Sequence, residues 1–123
     1  MKEETRIYLS LSQYLQLQYP DIVFHFDIKL QSLGAGIINK RMNPINGFSD
    51  LVIFESRGNL HGLFLEIKKD GEKLFKINGE YKTPHIKEQA DFLEKMNRKG
   101  YYAKFGIGWD DCKKIIDDYL AHK

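Results

Sequence analysis

The sequence predicts an α/β protein in which a first helix is followed by three strands, a second helix, a fourth strand and a closing helix. Near both ends of the chain, apolar residues recur every three or four positions, which indicates amphipathic helices. In the middle, Leu51 to Phe54 and Leu63 to Ile67 are short apolar runs typical of buried strands. A helical pattern and a further apolar run after these strands complete the order.

The first element is predicted to be a helix from about Glu3 to Gln18, because apolar residues recur at helical spacing and Pro20 ends the pattern. Glu4 lies one turn before Ile7, at the edge of the inward stripe, whereas Glu3 points further outward. An acid in the first turn also interacts favourably with the helix dipole, so both acids have a purely structural interpretation as well.

Two less regular segments follow. Residues 21–28 alternate between apolar and polar side chains in a pattern that predicts a strand. Residues 30–46 contain glycines and end in Asn-Pro, which predicts a mobile connection with room for a short helix. Within it, Lys40 and Arg41 either face a phosphate backbone or form a solvated helix end.

The two central apolar runs predict an antiparallel hairpin, because glycines at 58 and 62 punctuate the connection between them. Side chains alternate across a strand, so Glu66 and Lys68 share one face of the second strand. Antiparallel pairing brings Asp50, at the start of the first strand, to the same end. Two carboxylates and one ammonium group are therefore expected to converge there.

Such a cluster has two explanations. A carboxylate set among apolar strand residues is unfavourable unless its charge is compensated, and a divalent cation compensates two carboxylates well because hard cations prefer oxygen ligands. Alternatively, the cluster is a solvated strand end at which Lys68 simply pairs with Glu66 or Asp50. The residues by themselves leave both explanations open.

The second half of the chain contains three further predicted elements. Asn78-Gly79 lies between two short runs and predicts a two-residue turn in a small projecting β-hairpin. Thr83-Pro84 opens a helix that Gly100 closes, and a strand from Tyr101 to Ile107 and a last helix follow. Gln89 is an amide on the apolar face of its helix. Burying an unpartnered amide costs roughly 1–3 kcal/mol, so we expect it to bond to the sheet backbone or to a ligand at the site.

Composition excludes several classes of protein. The 123 residues suit one domain with a single core. We expect a cytoplasmic protein without a membrane segment, because no apolar run approaches the roughly 18–20 residues of a bilayer span and the first residues do not resemble a secretion signal. The single Cys112 excludes a disulfide framework. The net charge of +2 is too small to indicate nucleic-acid binding by itself. The lysines form either a basic face or a mixed solvated surface.

Nearly the whole chain resembles the VRR-NUC family of the PD-(D/E)XK nuclease superfamily, and in particular its small stand-alone members from bacteriophages and bacteria. The residues that carry the resemblance are Glu4, Gly47-Phe48-Ser49-Asp50-Leu51, Gly62-Leu63-Phe64-Leu65-Glu66-Ile67-Lys68, Gln89 and Gly100-Tyr101. Ser49 stands where the family has proline, a residue that contributes no catalytic group. The resemblance implies a restriction-endonuclease-like αβββαβ core, with a central mixed sheet flanked by helices and an extra C-terminal helix.

The resemblance also implies roles for individual residues. Asp50, Glu66 and Lys68 would be catalytic, with Lys68 orienting or activating the attacking water and steadying the charge that develops on the phosphate. Mg²⁺ or Mn²⁺ would be bound by Asp50, Glu66, the main-chain carbonyl of Ile67 and, directly or through a water, Glu4. The residues expected to support the site or contact the substrate are Gln89, Lys69, Lys40 and Arg41.

The activity that the resemblance implies is that of a metal-dependent DNA endonuclease. Stand-alone family members are associated with homodimers that act on branched DNA such as Holliday junctions, and the expected setting is the cytoplasm, including that of a bacterial host if the protein is phage-encoded. The alternatives are a less selective nuclease or nickase acting on flaps or duplex, and a nucleic-acid-binding module without turnover.

Overall fold

The computed structural model describes residues 1–27 and 33–123, which form helices on both faces of a four-stranded sheet. In chain order the elements are α1 (Glu3–Gln18), β1 (Phe24–Phe26), α2 (Leu33–Met42), β2 (Leu51–Ile53), β3 (Leu63–Lys68), α3 (Pro84–Arg98), β4 (Tyr102–Ile107) and α4 (Trp109–Ala121). The predicted α/β class and the restriction-endonuclease-like order of elements are confirmed. No helix in the described ranges combines the length and apolar character that a bilayer span requires.

The sheet is mixed, as expected, with the strand order β1-β2-β3-β4. The first three strands are antiparallel neighbours, and Leu51 pairs with Leu65 in the predicted central hairpin. By contrast, β4 runs parallel to β3. A parallel neighbour needs a crossover connection, and α3 provides it.

Each face of the sheet is covered by a different set of helices. On one face α1 and α4 cover Leu51, Ile53, Leu63, Leu65 and Ile67. On the other face Val52 and Phe64 pack with Phe92 and Leu93 of α3. Because side chains alternate along a strand, Glu66 and Lys68 belong to the face that carries α3.

Two segments before the central hairpin were predicted in outline but not in their bounds. The strand predicted over residues 21–28 is confined to Phe24–Phe26, and Ile28 lies outside the described residues. In the connection predicted over residues 30–46, the short helix for which the prediction left room is present as the ten-residue helix α2, while residues 30–32 lie outside the described part. Residues of good helix propensity between 33 and 42, such as Lys40, Arg41 and Met42, outweigh the cost of two glycines.

The projecting hairpin is present, but the prediction of a two-residue turn is wrong. Phe75 bridges to Tyr81, and the Lys76 amide donates a 2.7 Å hydrogen bond to the Glu80 carbonyl. Three residues therefore form the loop. Gly79 occupies its last position with φ of 91°, the left-handed conformation that ends a type I turn in such loops.

Side chains from two helices bind the outer edge of β4. The Asn97 side chain accepts a 2.8 Å hydrogen bond from the Ala103 amide and donates a 3.0 Å bond to the Ala103 carbonyl. At the other end of the strand, an Asp111 carboxylate oxygen accepts a 2.9 Å hydrogen bond from the Ile107 amide. These side chains occupy groups that an edge strand otherwise leaves exposed.

Candidate active site

The structure brings Asp50, Glu66 and Lys68 to one end of the sheet. Asp50 immediately precedes β2, and the pairing of Leu51 with Leu65 sets it opposite Glu66. All three side chains are buried, with relative exposures of 7% for Asp50, 2% for Glu66 and 7% for Lys68. Buried charges are rare unless they are paired, hydrogen-bonded or bound to a metal, so the charges at this end of the sheet require compensation of this kind.

Asp50 is fixed by the way the β2–β3 ladder ends. Since β2 begins at Leu51, the Ile67 amide extends beyond the ladder and donates a 2.8 Å hydrogen bond to Asp50 Oδ2 instead. In an extended strand the amide and carbonyl of one residue point to the same side. The Ile67 carbonyl therefore faces the same side of β3 as Asp50, which adds a main-chain oxygen to the site.

Lys68 is held in place by a side chain of α3. Its Nζ donates a 2.8 Å hydrogen bond to Gln89 Oε1, and Gln89 is itself only 6% exposed on α3. The partner expected for the buried amide is thus a residue of the site. Lys68 Nζ also lies 3.8 Å from Glu72 Oε2, an acid that the sequence interpretation missed although it is only four residues away.

Glu4 and Tyr8 approach the site from α1. Burial raises the pKa of Glu4, Lys68 lowers it, and Asp50 and Glu72 raise it further. Burial, followed by the charges of Asp50 and Glu4 and a hydrogen bond to Asp50, raises the pKa of Tyr8 far above its usual range. The Tyr8 hydroxyl therefore stays protonated and donates to Asp50. No pattern in the sequence marked Tyr8 as anything but a core residue.

The other early acid has a different partner. A Glu3 carboxylate oxygen accepts a 2.9 Å hydrogen bond from the Asp70 amide, just beyond the end of β3. This bond ties the first turn of α1 to the end of the strand that carries Glu66 and Lys68. Of the two adjacent acids, Glu4 is the one that interacts with Lys68 and Asp50.

A cleft of about 940 Å³ opens beside Asp50. Glu4, Tyr8, Asp27 and Lys69 are among its other lining residues. Asp27 was missed from the sequence, where it read as an ordinary polar strand residue; its amide donates a 2.8 Å hydrogen bond to the Asp50 carbonyl.

Lys40 and Arg41 lie apart from this cleft lining, on the last turn of α2. Both side chains are exposed, and Lys40 Nζ hydrogen bonds to Asn46 Oδ1. Their position is that of a solvated helix end.

The segment before Asp50 is packed against α3. Gly47 has φ of +76°, and a Cβ at this position would lie 2.6 Å from the Glu88 carbonyl oxygen. Only glycine satisfies both the conformation and the close approach. Two residues later Ser49 is fully buried, and its hydroxyl has no hydrogen-bond partner among the described residues. Close packing of residues 47–49 thus sets Asp50 relative to the helix that carries Gln89.

The side-chain donors at this end of the sheet are carboxylates, and the Ile67 carbonyl adds another oxygen. Within residues 1–27 and 33–123, no three Asp, Glu, His or Cys side chains converge closely enough to enclose a metal ion by themselves. Oxygen donors of this kind suit a hard divalent cation that keeps water among its ligands. They do not suit a structural zinc site, which is built mainly from cysteine and histidine.

Comparison with solved structures gives an informative likeness. No family model and no curated protein matches the sequence. A solved structure described as a VRR_NUC domain protein matches with a TM-score of 0.71 and 26% sequence identity, over 99% of this chain and 91% of the other. The likeness includes all the elements that carry the site, and it agrees with the family expected from the residues. The resemblance to the VRR-NUC family is therefore confirmed, and the chain has the fold of a nuclease-family domain.

Proposed function

We propose that this protein is a Mg²⁺- or Mn²⁺-dependent endodeoxyribonuclease that hydrolyses phosphodiester bonds. The observation that carries the proposal is the burial of Asp50, Glu66 and Lys68 together at one end of the sheet. Clustered buried carboxylates destabilise a fold and repel a phosphate backbone. A protein that only binds DNA gains nothing from such carboxylates, whereas an enzyme that hydrolyses phosphodiester bonds uses them.

The residues present fit a bound cation. Asp50 and Glu66 would be its carboxylate ligands, the Ile67 carbonyl faces the side of β3 on which Asp50 lies, and Glu4 approaches from α1. When bound, the ion would neutralise the phosphate and make a water molecule more acidic. Burial and the neighbouring acids raise the pKa of Glu4, and a bound cation would favour its charged form.

The remaining side chains have roles that follow from their contacts. Lys68 carries a positive charge that can orient the attacking water and stabilise the charge developing on the phosphate. Gln89 holds the Lys68 ammonium in place through the 2.8 Å hydrogen bond. Tyr8 donates to Asp50 and so restrains the carboxylate that lies in the cleft. Lys69, which lines the cleft, would contact substrate phosphates, whereas Lys40 and Arg41 on α2 lie apart from the cleft lining.

We further propose that the substrate is branched DNA and that two copies of the chain act together. A four-way junction presents two equivalent strands for cleavage, and a twofold dimer supplies two equivalent sites in the simplest way. Recognition of a branch point needs shape and phosphate contacts rather than base-specific ones. The second candidate is a less selective nickase acting on flaps or linear duplex.

The deciding experiment compares cleavage of a four-way junction, a flap and a linear duplex at matched salt, with Mg²⁺, Mn²⁺ or a chelator. We expect cleavage of the junction only with metal, and none by Asp50→Asn or Lys68→Ala. Lys114→Ala is the control, because Lys114 is an exposed lysine on α4 paired with Asp118. Cleavage that survives both site substitutions would refute the catalytic assignment. Equal cleavage of all three substrates would favour the nickase, and failure to bind either metal by calorimetry would favour a pure binding module.

A further inference from the structure

The hairpin of residues 73–82, hereafter the lysine hairpin, projects from the end of β3 and has an unusual tip. Phe75 and Tyr81 pack across it with ring centroids 4.8 Å apart, and backbone hydrogen bonds close the loop above them. At the tip, Ile77 is fully exposed to solvent, with a relative accessible surface of 109%. A turn requires no β-branched apolar residue at this position, where proline and polar residues are the common choices. A well-formed turn thus presents one apolar side chain fully to solvent.

The arms of the lysine hairpin carry positive charge. Lys73, Lys76 and Lys82 are all exposed, and the only acid between them is Glu80. Salt bridges of the described lysines involve Lys68, Lys87, Lys113 and Lys114 instead. The three hairpin ammonium groups are therefore available to a polyanion, around a central apolar side chain.

The hairpin is attached at both ends to elements that build the site. Its first arm follows β3 five residues after Lys68, and its second arm leads into α3, which carries Gln89. The 2.8 Å hydrogen bond between Lys68 and Gln89 closes this loop at its base. Ile77 lies nine positions after Lys68, so the tip lies at most about 30 Å from the site, the reach of a fully extended segment. At about 3.4 Å per base pair, a nucleic acid held at the site can therefore contact the tip within about nine base pairs.

We propose that the lysine hairpin is a second DNA-binding element, in which the three lysines contact phosphates and Ile77 inserts against a base next to the branch point. An apolar side chain that enters a base step unstacks it, and it does so most easily where pairing or stacking is already interrupted. The lysines supply affinity that does not depend on sequence, and Ile77 supplies the preference for a distorted site. This proposal rests on the proposed DNA substrate and extends it by naming the element that reads shape.

The test measures DNA binding by full-length protein carrying Asp50→Asn, so that cleavage does not interfere. A four-way junction carries 2-aminopurine at the branch point, where the fluorescence of this base analogue rises on unstacking. We expect the parent protein to raise the fluorescence and Ile77→Ser to abolish the rise, with affinity for the junction falling about tenfold, the order of effect expected when the burial of one apolar side chain is lost. Leu17→Ser is the matched control, since Leu17 is 78% exposed at the far end of α1.

Lysine contacts are tested through the salt dependence of the same binding. Lys76→Ala should reduce the slope of log affinity against log salt by about 1, the value for one lost phosphate contact, whereas Lys114→Ala should leave it unchanged. An Ile77→Ser protein that still unstacks the reporter base, or a Lys76→Ala protein with an unchanged slope, would overturn the proposal. Either result could occur in a protein that still cleaves junctions with metal, so the hairpin proposal can fail while the proposed function stands. A protein that binds no DNA would refute both.

Discussion

The Lys68 ammonium and the Gln89 side-chain oxygen lie 2.8 Å apart, which joins the last residue of β3 to the second turn of α3. Both side chains are buried, so the bond is shielded from water. It links the strand that carries two of the charged site residues to the helix that crosses over to β4. Stability and activity should therefore both depend on it.

Replacement of Gln89 tests this link. Gln89→Ala leaves a buried ammonium with one fewer partner, and hydrogen bonds to charged groups contribute about 1.5–3 kcal/mol, so we expect a loss of stability of this size. We also expect a lower kcat for DNA cleavage, because Lys68 is no longer held in place. Urea unfolding and single-turnover kinetics measure the two effects. Gln16→Ala is the control, since Gln16 is an exposed glutamine that hydrogen bonds to Ser12 on the same helix, and equal behaviour of the two variants would contradict the prediction.

The pKa of Glu4 gives a pH-dependent prediction. Burial raises this pKa above the usual 4.5, so folding favours the protonated carboxyl. The stability that this preference contributes is fully present below the unfolded pKa and is lost as the pH rises through the folded pKa. Glu4→Gln mimics the protonated form, and we therefore expect it to raise the Tm at pH 7 relative to wild type but not at pH 4.

Thermal melts across this pH range, without divalent metal, measure the effect. Glu88→Gln is the control because Glu88 is an exposed glutamate on α3. A Tm gain for Glu4→Gln that is the same at both pH values would contradict the prediction.

Asp117 is predicted to hold α1 against α4. It accepts hydrogen bonds of 2.6 Å from Tyr14 and 2.8 Å from Tyr19, and its other oxygen lies 2.8 Å from Lys113. Burial raises its pKa, but these hydrogen bonds outweigh burial and hold the pKa below the usual 3.8. This stabilisation is present above pH 3.8 and is lost as the pH falls through the folded pKa.

Asp117→Asn should accordingly lower stability by about 1–2 kcal/mol near pH 7, because the amide oxygen still accepts the tyrosine hydrogen bonds but lacks the charge that strengthens them and that pairs with Lys113, and the difference from wild type should shrink below pH 3.8. Chemical denaturation at several pH values measures this. Asp118→Asn serves as the comparison, because the exposed Asp118 pairs only with Lys114 in the described structure. A penalty that persists undiminished in acid would show that Asp117 acts without its charge.

Gly106 in β4 should tolerate no side chain. A Cβ there would lie 2.5 Å from Cys112 Sγ and 3.1 Å from Leu65 Cδ1, so Gly106→Ala overpacks the core and should cost about 1–3 kcal/mol. Removing the sulfur with Cys112→Ala in the same chain should recover part of that loss, because the closest clash disappears. A double-mutant cycle in urea measures the coupling between the two positions. Purely additive effects would contradict the contact.

Cys112 itself offers a second readout of the same packing. Burial, with smaller contributions from Asp111 and Asp50, raises the pKa of its thiol to about 12. The thiol should therefore resist alkylation at pH 8 in the native protein, and Gly106→Ala should accelerate the reaction by opening the core.

Much of the fold was accessible from the sequence because its signals are local. The apolar spacing between Glu3 and Gln18, stopped by Pro20, predicted α1 with the observed bounds. Thr83 accepts a 3.1 Å hydrogen bond from the Ile86 amide, as its capping position suggested. By contrast, the length of the loop at Gly79 was misjudged and the bounds of α2 were not predicted, since the glycines in these two segments do not reveal which conformation the chain adopts.

The residues of the candidate site were likewise predictable only in part. The positions of Glu66, Lys68 and Asp50 at one end of the sheet follow from strand alternation and hairpin pairing, which the sequence carries. Tyr8 and Asp27 reach Asp50 only because α1 and β1 fold back onto the hairpin, and no spacing along the chain encodes that approach.

The outer edge of β4 limits how copies of this chain can meet. The Asn97 side chain makes the two hydrogen bonds to Ala103 that a neighbouring strand would otherwise make. At the other end of the strand, the Asp111 carboxylate accepts the hydrogen bond of the Ile107 amide. A further strand that docked there would have to displace both side chains, so continuous sheets and fibrils cannot propagate readily from this border. Copies of this chain are therefore not expected to join by extending the sheet across this edge.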